Sequence, residues 1–172
     1  REPIDEAIEL ATNVFGTAPP GAVRDADEAT QCRWLIDRLD RPIRVCGVVE
    51  NTGEPGGGPF WVRDGDGAIS PQVVEGAQID KGSESQTAAL AASTHFNPVD
   101  LVCGLKDGGG SSYALQSYVD TDAVIVAKKT HDGRELKALE RPGLWNGAMA
   151  GWNTVFVEVP IETFSPVKTV LD

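Results

Sequence analysis

The chain has 172 residues with a formal net charge of -11, 41% of them hydrophobic and 24% charged, a composition that folds around its own core and is neither disordered nor fibrous. That much negative charge repels phosphate backbones and anionic headgroups at long range, which argues against nucleic acid and membrane surfaces as partners and leaves room for one small anion at a local basic spot. No apolar run is long enough to span a bilayer, no charged-then-apolar leader opens the chain, and three cysteines without a Cys-x-x-Cys pair fit a reducing compartment, the cytoplasm.

Ile4, Ala7, Ile8, Ala11, Val14 and Phe15 recur at helical spacing after Pro3, and predict an amphipathic helix that Pro19 and Pro20 break. Asp25 and Glu28 form a capping-box pattern ahead of Ala29, Cys32, Leu35, Ile36 and Leu39, a second helix ended by Pro42. From Ile43 the period changes to the alternation of a largely buried strand, through Val49. A Gly-Pro loop, Thr52 to Pro59, leads to two strands, Phe60 to Arg63 and Ile69 to Glu75, joined as a hairpin by Asp64-Gly65-Asp66-Gly67. Ser83 and Gln86 cap a short Ala-rich helix reaching Ala92, and a strand runs from Val99 to Gly104 after the restricted Asn97-Pro98 step. Lys106 to Ser112 is a glycine-rich turn, Ala123 to Ala127 a short strand, Leu144 to Gly151 ambiguous, and Thr154 to Pro160 a last alternating strand. The order predicts an α/β fold, a mixed sheet with flanking helices.

Few local motifs carry chemistry. The run Gly56-Gly57-Gly58 lacks the Lys-Ser/Thr of a P-loop and leads into a strand, so a connector that lets backbones pass closely competes with a phosphate cradle. Asp64, Asp66 and Glu75 have the outer spacing of a calcium loop, but Ala68 and Ile69 stand where a ligand and the turn glycine belong, which leaves a solvated hairpin turn. His95 and His131 belong to no ligand motif, so no metal ligands are nominated. Cys46 and Cys103, inside apolar strands, are expected to be buried packing residues. Lys168, after the proline-fixed turn of Phe164-Ser165-Pro166-Val167-Lys168, is suited to serve as a point charge for phosphate.

Four segments, taken in order, resemble the carboxy-terminal half of UDP-glucose and UDP-N-acetylhexosamine pyrophosphorylases, and more closely a bacterial family described only as a domain of unknown function. Val73-Val74-Glu75-Gly76-Ala77-Gln78 is similar to the strand whose glutamate reaches the sugar. Phe96-Asn97-Pro98-Val99-Asp100-Leu101 resembles the segment with a sugar-contacting asparagine. Leu139-Glu140-Arg141-Pro142-Gly143-Leu144-Trp145-Asn146-Gly147-Ala148-Met149 resembles the glutamate-led stretch before the last strand. Phe164-Ser165-Pro166-Val167-Lys168-Thr169 resembles the motif whose lysine binds the nucleotide-sugar phosphates. Pro98 departs from the pyrophosphorylases, and Leu144-Trp145-Asn146-Gly147 is shared with the bacterial branch alone.

The resemblance covers residues 42–172, behind a helical lead-in at 1–41, and implies the carboxy-terminal part of a glycosyltransferase-A-like nucleotidyltransferase fold. It implies that NTP and a sugar 1-phosphate exchange with a nucleotide-sugar and pyrophosphate, with Mg2+ bound by residues outside this chain. Lys168 would be the catalytic charge and Glu75 and Asn97 the sugar contacts, with Lys137 and Asn146 as further pocket residues beside the Glu140 segment. The chain opens on Arg1 rather than Met, and the family's glycine-rich nucleotide loop and metal aspartate belong to an amino-terminal half, so that half is an expected partner and the chain alone is expected to be inactive. The alternatives are a non-catalytic nucleotide-sugar binding protein and a self-standing carbohydrate-binding module.

Overall fold

The computed structural model describes residues 2–53, 56–98, 101–144 and 146–164. Its elements are α1 (Glu2–Asn13), α2 (Gly21–Arg24), α3 (Glu28–Leu39), β1 (Ile43–Glu50), β2 (Gly58–Arg63), β3 (Ile69–Val74), α4 (Glu84–Ala91), β4 (His95–Phe96), β5 (Leu101–Gly104), β6 (Ile125–His131), β7 (Arg134–Glu140) and β8 (Asn153–Glu158).

The predicted helical stripe of α1 buries Ala11 and packs Ile4, Ala7 and Ile8 against Trp34 and Leu35 of α3 and Ala68 of the β2–β3 turn. Burying side chains of the size of Trp34 and Leu35 contributes about 1.5–3 kcal/mol each. The cap of α3 differs from the expected one: Asp27, not Asp25, accepts from Thr30 N at 2.8 Å. Asp25 instead closes α2, a one-turn helix that the two prolines hid.

β1 is the centre of a mixed sheet. On one side it runs parallel to β8, from Ile43↔Asn153 to Val48↔Glu158. On the other it meets an antiparallel partner in two pieces: β5, from Ile43↔Gly104 to Cys46↔Leu101, and β4, at Val49↔Phe96 and Glu50↔His95. Between those pieces the Asn97 amide donates to Gly47 O at 2.6 Å and supplies a ladder bond where backbone pairing lapses. Of the expected strand from Val99 to Gly104, Val99 and Asp100 lie outside the described residues.

The β2–β3 hairpin forms with the predicted turn, Arg63↔Ile69 closed by Asp64 N donating to Ala68 O at 2.9 Å, although β2 begins at Gly58, taking in the end of the expected loop, and β3 ends at Val74, one residue before Glu75. Ser83 caps α4 as expected. β6 and β7 form a second hairpin, paired only with each other among the described residues. Its first strand extends well past the expected Ala127, and its second occupies a stretch for which no strand was expected. The ambiguous stretch before β8 forms turns.

Cys46 is fully buried, and burial pushes its thiol up to about 11, which suits packing and not nucleophilic attack. Cys103 departs from expectation: it is exposed, and so is Val102, whose side chain points to the opposite face, so β5 is open on both faces at this point. Among the described residues no helix is long and apolar enough to cross a membrane.

Candidate functional site

Three of the four resemblance-bearing segments meet around the glycine run Gly56–Gly58 that leads into β2. Gly57 is buried beneath the end of β3: a Cβ on it would lie 2.7 Å from Val73 Cγ1 and 3.4 Å from Glu75 Oε1. Only glycine fits that approach. Glu75 is half-buried at the end of β3, where its backbone N–H donates to Gln78 Oε1 at 2.8 Å and fixes the turn. From the opposite side Asn97, 4% exposed, donates its backbone N–H to Gly57 O at 2.8 Å. A Cβ on Gly56 would stand 3.5 Å from the Phe96 ring. Phe164, which opens the run leading to Lys168, sets its ring edge-on to Phe96 with centroids 5.1 Å apart. Lys168 itself lies outside the described residues, as does Trp145.

The other two nominated residues are elsewhere. Lys137 is exposed on β7, opposite Lys128 in the register. Asn146 is buried, but its amide holds its own loop: Oδ1 accepts from Gly143 N and Nδ2 donates to Arg141 O at 3.1 Å. The acidic turn is a hairpin turn with a structural charge partner. Arg38 on α3 donates to Asp64 at 2.6 Å and to Asp66, stapling the helix to the hairpin. Burial lowers the Arg38 pKa, but the bonds to Asp64 and Asp66 outweigh it and leave the guanidinium above its ordinary value. Asp66 is held down at about 2 by its bonds to Asp64 and Arg38, while burial and its neighbour raise Asp64.

The residue missed by sequence reasoning is Arg44. The alternation of β1 places it in phase with Cys46 and Val48, and it is 2% exposed. Its Nε donates to Thr154 Oγ1 at 2.9 Å, Nη2 to Gln72 Oε1 at 2.8 Å, and Nη1 to Met149 Sδ at 3.4 Å. Gln72 in turn donates to Ser70 Oγ at 3.3 Å. Arg44, Gln72 and Thr154 line a cavity of about 910 Å³ that Gln78 also borders, so it adjoins the Glu75 turn. The available signal was an arginine at the second position of an apolar strand, where a charge needs a reason.

Among the described residues no group of three or more His, Cys, Asp or Glu side chains is arranged to hold a metal ion. Asp64 and Asp66, the carboxylates of the acidic turn, are bound to Arg38.

The family described as "Domain of unknown function (DUF4301)" matches residues 1–172, the amino-terminal helices included. The chain belongs to that family. No curated protein matches it. Among solved structures it is similar to a mutant UDP-glucose pyrophosphorylase from Leishmania major in complex with UDP-glucose, at 19% identity and a TM-score of 0.44, over 84% of this chain and 32% of that one. It is similarly related to the open and closed structures of the UDP-glucose pyrophosphorylase from Leishmania major, at 19% identity and a TM-score of 0.45, again over 84% and 32%. The chain thus spans about a third of the length of these structures.

Proposed function

We propose that this DUF4301 chain supplies the sugar and phosphate contacts of a nucleotidyltransferase that interconverts NTP plus a sugar 1-phosphate with a nucleotide-sugar plus pyrophosphate, within a glycosyltransferase-A-like fold completed by an amino-terminal half. The observation that supports this reading is the convergence at Gly57. The segments resembling the glutamate and asparagine sugar contacts approach that residue from two sides, and the run leading to Lys168 starts on the Phe96 ring beside them.

Transfer of this kind is an in-line displacement at phosphorus by the sugar phosphate, and it needs charge neutralisation and alignment more than a protein nucleophile. In this reading the Glu75 carboxylate accepts from sugar hydroxyls, the Asn97 segment forms the facing wall, and the Lys168 ammonium offsets charge on the phosphates. Magnesium would be held by the amino-terminal half. In the full-length protein, Lys168→Ala is expected to lower pyrophosphorolysis at least tenfold, about 1.4 kcal/mol of transition-state stabilisation. Turnover equal to wild type overturns the role of Lys168. Nucleotide-sugar binding without any turnover in the wild type shifts the reading to a non-catalytic binding protein.

A further inference from the structure

A guanidinium carries five N–H donors and a permanent charge. Arg44 is almost fully buried, yet only three of those donors have acceptors, one of them a thioether sulfur, and no carboxylate lies within ion-pair distance among the described residues. Burial pulls its pKa below the ordinary value. A buried, unneutralised cation is costly unless something of opposite sign is brought to it.

Five aspartates line the same cavity, and each is engaged elsewhere. Asp64 and Asp66 bind Arg38, Asp37 binds Arg41, Asp40 accepts from the Tyr113 hydroxyl and Asp120 from Asp122 N. Trp152 on the same wall keeps its indole N–H buried without an acceptor. We propose that the Arg44 cavity binds a phosphorylated small molecule, with its phosphoryl group on the second hydrogens of Nη1 and Nη2, which have no acceptor among the described residues. The planar fork of arginine matches phosphate oxygens in pairs. A volume of about 910 Å³ leaves room for a body the size of a sugar or nucleoside beyond the phosphoryl group. Along β1, at the ordinary strand rise, Arg44 stands about 16 Å from Val49, the partner of Phe96, while the cavity reaches Gln78 beside the Glu75 turn.

The test is calorimetric titration and thermal shift of the full-length protein, using inorganic phosphate and glucose 6-phosphate, with glucose as control. Wild type is expected to bind both anions, glucose 6-phosphate more tightly if the larger cavity is used, and to melt higher in their presence, while glucose alone does nothing. Arg44→Met, which removes the charge and keeps much of the volume, should weaken binding at least tenfold. Gln72→Glu installs a carboxylate where the Arg44 Nη2 bond already ends. It should abolish anion binding at Arg44, and because the new ion pair with Arg44 offsets the lost Nε2 bonds to Ser70 and Trp152 O, it keeps the test available if Arg44→Met fails to fold. In a Lys168→Ala background Arg44→Met should still weaken anion binding at least tenfold, which separates this site from the proposed transferase site. Wild type that binds neither anion, or Gln72→Glu that binds them like wild type, overturns the proposal.

Discussion

The β1–β8 and β6–β7 pairs are ladders of comparable length with opposite surroundings. β1 is flanked on both sides, and its inward row of Arg44, Cys46 and Val48 is buried. β6–β7 has no third strand among the described residues, and its opposed residues Val126 and Leu139 are 62% and 64% exposed. A ladder alone therefore does not determine what a strand can do. On β1, exclusion of water turns one arginine into a buried charge with fixed partners, a device suited to binding. On β6–β7 the lysines are solvated, and the pairs Lys128–Glu135 at 3.4 Å and Lys129–Glu140 at 2.7 Å are surface ion pairs worth little each. An isolated two-stranded hairpin is marginal in water, which makes Lys137 the nominated residue on the least anchored ladder.

The largest expected effect that breaks this comparison is at Arg44. Arg44→Ala leaves a cavity and strips Gln72 and Thr154 of their shared partner, for a destabilisation of about 2–4 kcal/mol by chemical denaturation. A loss below 1 kcal/mol would mean that the buried network is dispensable. Gly133→Ala comes next. The turn joining β6 and β7 holds Asp132 at φ 49 and Gly133 at φ 75, so a methyl group there strains the backbone and costs about 1 kcal/mol. The cost should appear as faster amide exchange in 125–140 with the β1–β8 ladder still protected. Uniform loss of protection would show that the two regions unfold together.

The smallest effect concerns acid. The Asp66 carboxyl is held at about 2, below the unfolded value, so its contribution is complete above about pH 4 and is lost as the pH falls through about 2. Asp64, raised by burial, acts in the opposite direction. Asp66→Asn should therefore flatten the acid limb of a stability-against-pH curve slightly, since this carboxylate is half exposed. A steeper limb would contradict the assignment.

The same contrast explains what could be read from sequence. β1 and the β2–β3 hairpin were legible because alternation and an Asp-Gly turn agree there. β7 was not, because Arg134-Glu135-Leu136-Lys137 sets charges on both faces and shows no apolar alternation. Asp132-Gly133 was the local cue, a turn pair that twists with its strands. Alternation gave the phase of Arg44 but not its burial, which depends on β8 and β3 arriving from far along the chain. The same non-local dependence misplaced Cys103, which is exposed although its strand is apolar in sequence. Glu75 and Asn97 were nominated by family resemblance, and their meeting at Gly57 needed the fold; no pattern in the sequence relates Phe164 to Phe96.

The most direct measurement of the central claim is the melting temperature of the full-length protein titrated with UDP-glucose, for wild type, Glu75→Ala and Lys168→Ala. A nucleotide-sugar bound through these residues raises the wild-type melting temperature with concentration and leaves both variants little changed. Equal shifts in all three proteins would contradict the account, as would the absence of a shift with any UDP-sugar in the wild type.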